Sequence, residues 1–208
     1  MLPISQLLFE KNLTVKQIMP RIREFDVDDA LAKIMSVFWE KGYEGTSLQD
    51  IESATGLKKQ SLYRIYRSKR LMYLAALRHY EQTEIGVAWT ILHKSGSVKE
   101  KFQRLFETIV RETKSANDRK GCFLCNSSLD QAVQSSEIDS LVQEMFSRVE
   151  QNFAQALDTS KKYQQDKKLK QLKTITILNY YFGLRVLLKG TFSEQQLLDS
   201  INHFTSDL

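Results

Sequence analysis

Apolar side chains recur every three to four positions along most of this chain, and the recurrence predicts one helix after another. Leu31, Ile34, Met35 and Phe38 mark a face of a helix from about Asp26 to Lys41. Asp26, Asp28 and Asp29 lie near its positive end, and Gly42 is placed to stop it. Ser47-Leu48-Gln49-Asp50 reads as a capping box opening a short helix that ends near Gly56. A third helix covers about Lys59–Tyr66. Ser68 caps a fourth that runs through Leu71, Leu74, Ala75 and Leu77 to around Leu92. Beyond a loop at Lys94–Val98, the segment Lys99–Thr113 gathers Phe102, Leu105, Phe106, Ile109 and Val110 on one face. The polar stretch Ala116–Lys120 interrupts the pattern. Further helices are predicted at Cys122–Ala132, Glu137–Ser160, Lys168–Leu188 and Glu194–Ser206.

Two prolines, Pro3 and Pro20, and eight glycines in 208 residues leave little to punctuate strands, so the expected class is all-α. A composition 42% hydrophobic and 26% charged excludes disordered and collagen-like chains. No apolar run approaches the roughly 18–20 residues of a membrane span, and no basic leader precedes an apolar run near the start. Two cysteines, Cys122 and Cys125, do not make a disulfide framework. These features predict a soluble cytoplasmic protein without membrane association.

The net charge of +5 permits a polyanionic partner without demanding one, and its distribution is more telling. From Ser53 to Tyr80 there is no acidic residue, while Lys58, Lys59, Arg64, Arg67, Lys69, Arg70 and Arg78 are basic. A charge run of this kind also arises as a merely solvated face. Here it coincides with two short helices joined at Gly56, the spacing of a helix-turn-helix. Ile51 and Ala54 are expected on the inner face of the first helix, Leu57 between the two, and Leu62 and Ile65 under the second. Lys58, Lys59, Gln60, Ser61, Tyr63 and Arg64 remain for a groove and its phosphates. An ordinary helical hairpin with a basic surface fits spacing and charge equally well.

The segment Phe38-Trp-Glu-Lys-Gly-Tyr-Glu-Gly-Thr-Ser-Leu-Gln-Asp-Ile51, continued by Ala54-Thr-Gly-Leu-Lys-Lys-Gln-Ser-Leu-Tyr-Arg-Ile-Tyr-Arg-Ser-Lys69, resembles the TetR family of transcriptional repressors. The resemblance spans about Arg23 to Met72. It implies that Thr46 and Lys69 grip phosphates from two flanks and Tyr63 from the recognition helix. It leaves Lys59, Gln60, Ser61 and Arg64 to read bases, with Lys58 beside them. Arg and Gln pair bidentately with guanine and adenine edges, so these residue types suit the role. Three positions depart from the family pattern. Lys58 replaces a small capping hydroxyl, Tyr66 a common Phe, and Arg70 an acidic residue, which would add charge facing DNA. The opening around Met19-Pro20 matches many family members, making residues 1–20 an N-terminal extension. Arg21 and Arg23 then form either a minor-groove arm or a solvated tail.

The same resemblance implies a helical domain over residues 73–208 that binds a small-molecule effector and forms a homodimer, with DNA reading confined to 21–72. Asn179 to Gly190 and Ser193 to Leu197 resemble the last two family helices, placing the dimer contact near 168–188 and 194–206. Ile177, Tyr180, Tyr181, Leu184 and Leu188 make an apolar stripe there, with Gly183 allowing close approach. A stripe buried within one chain is the alternative. Gly121-Cys122-Phe123-Leu124-Cys125-Asn126 resembles a Gly-Cys-x-x-x-Asn motif of one family branch, some members of which sense oxidants or electrophiles through this cysteine. Cys122 near a helix N-terminus suits a stabilised thiolate, while two structural cysteines are the plain alternative. His79, His93 and His203 are scattered, and no nucleophile–base pair stands out. No metal, cofactor or catalytic residue is expected. The competing class is a helical small-molecule-binding protein that does not touch DNA.

Overall fold

The computed structural model describes residues 27–113, 120–130 and 136–208. The expected N-terminal extension, the Arg21 and Arg23 arm, the helix start at Asp26 and most of the break at 116–120 lie outside them. Among the described residues all regular structure is helical. The helices are α1 (Val27–Gly45), α2 (Leu48–Thr55), α3 (Lys59–Tyr66), α4 (Lys69–Tyr80), α5 (Gly86–His93), α6 (Val98–Glu112), α7 (Phe123–Leu129), α8 (Ser136–Leu157), α9 (Lys161–Gln165), α10 (Lys167–Leu187) and α11 (Glu194–Thr205).

Local signals set most boundaries. Gly42, at φ 71° and ψ 177°, breaks the helical run of α1 and turns its last residues away. Ser47 accepts from the Asp50 amide while the Asp50 carboxylate accepts from the Ser47 amide, completing the capping box. Gly56 ends α2 in the left-handed region, at φ 72°, where a side chain with a Cβ is strained. Ser68, Ser97 and Ser193 cap α4, α6 and α11 by the same short-range hydroxyl contact. The short α9 lies just before the helix predicted from Lys168.

The long fourth helix of the sequence pattern is continuous but not uniform. Between α4 and α5 the residues Glu81–Ile85 form one π turn, and the Gly86 amide reaches back five positions to the Glu81 carbonyl. The Glu81 carboxylate pairs there with Arg148 of α8.

The core is one continuous cluster, not two. α1 packs on α4, α8 on α10, and α6 on α11. Where the N-terminal helices meet the rest, the contact is aromatic. Phe123 of α7 sits edge-on to Tyr73 and Tyr80 of α4 at 5.4 and 5.7 Å, and Tyr73 is edge-on to Phe38 at 5.0 Å. α4 therefore runs straight through the expected boundary at residue 72 and belongs to both halves.

Candidate nucleic-acid interface and the buried thiol

α2 and α3 form two short arms around a small apolar hinge. Ile51 and Leu62 are fully buried, Leu57 is half-buried against the core, and Ile65 is half-buried. Ala54, expected on the inner face, is exposed. An eight-residue helix turns only about twice, and each of these two has one buried residue, Ile51 in α2 and Leu62 in α3.

The outer side of α3 carries Lys58, Lys59, Gln60 and Arg64, all exposed, with Ser61 and Tyr63 half-buried alongside. Lys59 lies over the Tyr63 ring, 5.8 Å from its centroid. Lys58 makes no capping hydrogen bond. Glu52 of α2 supplies the cap instead, its Oε1 accepting the Lys59 amide at 2.7 Å. A carboxylate at that end also offsets two lysines placed at the positive pole of the helix. Sequence spacing misses this because the donor and acceptor lie seven residues apart on different helices.

Lys69 opens α4 with its ammonium 4.5 Å from the Tyr43 ring centroid, a cation–π contact that holds the charge beside α3. Thr46 differs from the other expected contacts. It is 1% exposed, and its hydroxyl donates to the Gly42 carbonyl at 2.7 Å. Its proton is committed to the turn after α1 and is not presented outward. Arg70 is exposed and pairs with Glu137 of α8, 3.6 Å away. At the end of α3, Arg67 adopts φ 65°, and its amide closes the helix on the Tyr63 carbonyl.

Behind α1 and α4, Cys122 is the residue that precedes the first turn of α7. The Asn126 side chain donates to the Lys120 carbonyl at 3.0 Å, pinning the turn that leads into the helix. Cys122 is buried, and the Tyr80 hydroxyl donates to its sulfur at 3.5 Å. Arg185 of α10 in turn donates from Nη1 to the Tyr80 oxygen at 3.3 Å, with its guanidinium 5.0 Å from the Tyr181 ring centroid. Burial raises the Cys122 thiol, but a hydrogen bond from Cys125, the Arg185 charge and the Tyr80 hydroxyl outweigh it and hold it down to about 6. Cys125 moves far the other way, through its hydrogen bond to Cys122 and then burial, so it keeps the proton it donates. Tyr80 is pushed well above 10 by burial and by Cys122, and remains a neutral donor.

Arg185 is the residue that sequence reading missed. It occupies the stripe Tyr181, Leu184, Arg185, Leu188, an arginine at an inward position, and that misfit was the available signal. The stripe itself also corrects an expectation. Ile177, Tyr181 and Leu184 are buried within this chain, and Tyr180 and Leu188 pack on its core. Gly183 belongs to the opposite face, where nothing lies within 4 Å of a Cβ built on it. That face exposes Leu172, Ile175, Val186 and Leu187.

The family described as "Bacterial regulatory proteins, tetR family" matches residues 30–76, the stretch that carries most of α1, all of α2 and α3, and the first part of α4. The HTH-type transcriptional regulator YezE of Bacillus subtilis is 34% identical over 139 residues, covering 67% of this chain and 72% of YezE. This chain belongs to the TetR family of transcriptional regulators. The HTH-type transcriptional repressor ComR of Escherichia coli is 30% identical over 144 residues, covering 69% of each chain. Among solved structures, the TetR-family regulator CifR, in a cysteine-substituted form with operator DNA, superposes at a TM-score of 0.74. It is 24% identical and covers 89% of this chain and 98% of its own. SCO4454 of Streptomyces coelicolor shares the fold at 13% identity and a TM-score of 0.73, with 88% and 95% covered. These TetR relatives are transcriptional regulators and not enzymes. No helix among the described residues is long and apolar enough to cross a membrane.

Proposed function

We propose that this TetR-family protein is a homodimeric repressor that holds an operator through α3 and releases it when a small molecule occupies the helical domain. The observation that carries the reading is the outward basic side of α3, seated by Leu62 and capped from α2 by Glu52. Lys58, Tyr63 and Lys69 take the phosphates. Lys59, Gln60, Ser61 and Arg64 take the base edges, being the remaining polar side chains on or beside the outer side of the helix. Thr46 serves this surface by bracing the turn that leads into α2, with its hydroxyl inward.

Pairing of two chains is supported by the exposed stripe of α10. Leu172, Ile175, Val186 and Leu187 share it with Gly183, whose missing side chain lets a second helix approach closely. A dimer presents two α3 helices to successive major grooves about 34–36 Å apart, which a palindromic site requires. The relative CifR was solved on a 26-base-pair operator, a length that suits such pairing. The test is fluorescence anisotropy with duplexes from the DNA upstream of the gene. A sequence-specific complex is expected, and binding no tighter than to random duplex excludes the reading.

A second input is favoured by one observation, the depressed Cys122 thiol beside Arg185 and Tyr80. A thiolate at a helix start is the form that reacts with electrophiles and oxidants. In that reading alkylation of Cys122 repacks α7 and releases DNA. Cys122→Ser then binds the operator normally and ignores the electrophile N-ethylmaleimide. An equal response of wild type and variant rules it out.

A further inference from the structure

A cavity of about 250 Å³ lies between α1, α5, α6 and α10. Its apolar walls are Trp39, Ala88, Ile91, Leu105, Ile109 and Leu188. Two cations reach it, Lys120 and Arg185. Lys120 donates to the Ser36 hydroxyl at 2.7 Å and lies 5.8 Å from the Trp39 ring centroid. Two carboxylates, Glu84 and Glu112, also line it. Glu112 is exposed and Glu84 is half-buried, so both keep much of their hydration.

Arg185 is different. It is 9% exposed, no carboxylate among the described residues pairs with it, and its Nε has no hydrogen-bond partner. Its contacts are the Tyr80 hydroxyl and the face of Tyr181. A buried guanidinium with an unused N–H is costly to keep unless an anion meets it, because the group stays charged and its donors are fixed in a plane. That planar fork fits a carboxylate through two parallel hydrogen bonds. The walls opposite are hydrocarbon and indole, which suit an apolar body. Glu84 and Glu112 disfavour a second negative charge, which argues against phosphates and dicarboxylates.

We propose that this cavity binds an organic monoacid, its carboxylate on Arg185 with Lys120 beside it, and its aliphatic or aromatic body against Trp39, Ile91 and Leu105. The assignment rests on the reading of the helical domain as the effector-binding part of the repressor, and names the chemical class of that effector. Cys122 is linked to the guanidinium through the Tyr80 hydroxyl, which donates to its sulfur and accepts from Arg185. A ligand carboxylate would give Arg185 a direct anionic partner at its unused Nε.

The test is calorimetric titration of the full chain with benzoate, 2-naphthoate and octanoate, each compared with its primary amide. At least one acid is expected to bind more than about tenfold tighter than its amide, since only the anion gains the charge-assisted pair. Arg185→Met should lose about tenfold or more for that acid, and Arg185→Lys should lose less, keeping the charge without the fork. The acid–amide comparison on wild type needs no variant, so a poorly folded substitution does not spoil it. Equal affinity for acid and amide, or no heat from any of the three acids at millimolar concentration, overturns the proposal. Addition of the binding acid to the operator complex separates the two claims. Release supports both. An acid that binds selectively yet leaves the complex intact supports the monoacid site and refutes its role as effector site.

Discussion

The carboxylate of Asp130, just past the end of α7, accepts the backbone N–H of Tyr43 at 3.1 Å, linking positions 87 residues apart. The Tyr43 ring carries Lys69, and the start of the same short helix holds Cys122. Ser127, between them, shares a 2.7 Å hydrogen bond with Tyr73. α7 thus spans the distance between the cavity and the turn that supports the α2–α3 arms. Asp130→Ala should free the Tyr43 amide to exchange with solvent and lower operator affinity. Asp130→Asn, which keeps an acceptor oxygen, should restore most of the protection. Unchanged amide exchange in Asp130→Ala would show that the link does not hold the turn.

The cap on α3 comes from another helix, so it can be separated from charge. Glu52→Ala should destabilise the protein by about 0.5–2 kcal/mol, the usual worth of a lost helix cap. Glu52→Gln keeps an acceptor and should recover most of that loss in denaturant unfolding. If Gln and Ala variants unfold alike, the cap is not what Glu52 contributes.

Phosphate and base contacts leave different signatures. Lys69→Ala should weaken every duplex alike and flatten the salt dependence, by a slope of about 0.9 for one lost phosphate contact. Arg64→Ala should instead cost about 1–3 kcal/mol on the operator and little on random DNA. Titrations at several salt concentrations separate the two, and a uniform loss in Arg64→Ala contradicts its base-reading role.

The α10 stripe predicts the oligomeric state. Val186→Glu places a charge on the face shared with Gly183 and should convert the proposed dimer to monomers, seen by sedimentation, without lowering helix content. Operator affinity should fall with it. A Val186→Glu protein that stays dimeric moves the interface elsewhere.

The Cys122 thiol gives a pH dependence with a definite sign. Its folded value, about 6, lies below the unfolded value of about 8.5. Its contribution to stability is therefore complete above the unfolded value and is lost as pH falls through about 6. Ultraviolet thiolate absorbance should titrate near 6 in wild type and near the ordinary thiol range in Arg185→Met. The stability gap between wild type and Cys122→Ala should shrink as pH drops. A gap that is flat with pH removes the thiolate.

Much of this was legible in the sequence for a physical reason. Caps and stops act over three or four residues, so Ser47–Asp50, Gly56, Ser68 and the span of α3 follow from neighbours alone. The basic side of α3 is likewise a local pattern. What the sequence hides depends on which element lies opposite. Helical periodicity places Ile177, Tyr181 and Leu184 on one face but does not say whether that face meets its own chain or another. They meet their own chain, and the opposite face, with Leu172, Ile175, Val186 and Leu187, is exposed. Arg185 reads as one more surface arginine until Tyr80, Tyr181 and Cys122 are brought around it. The outward exposure of Ala54 and the reach of Glu52 are equally questions of tertiary placement.

The π turn at Glu81–Ile85 gives the cavity an unexpected dependence on helix register. One residue more or less in a helix swings everything downstream by roughly 100° and shifts it by about 1.5 Å. Upstream of the turn, Tyr80 points at Cys122; downstream, Ala88 and Ile91 wall the cavity. Because the wide turn absorbs one extra residue in place, deleting exposed Thr83 should return it to an ordinary α turn with Ala88 and Ile91 still facing the cavity, whereas the same deletion in the regular part of α5 should swing the residues beyond it out of phase. The cavity wall is in that sense a phase setting on one helix, held by a wide turn that takes up a residue without passing the change on.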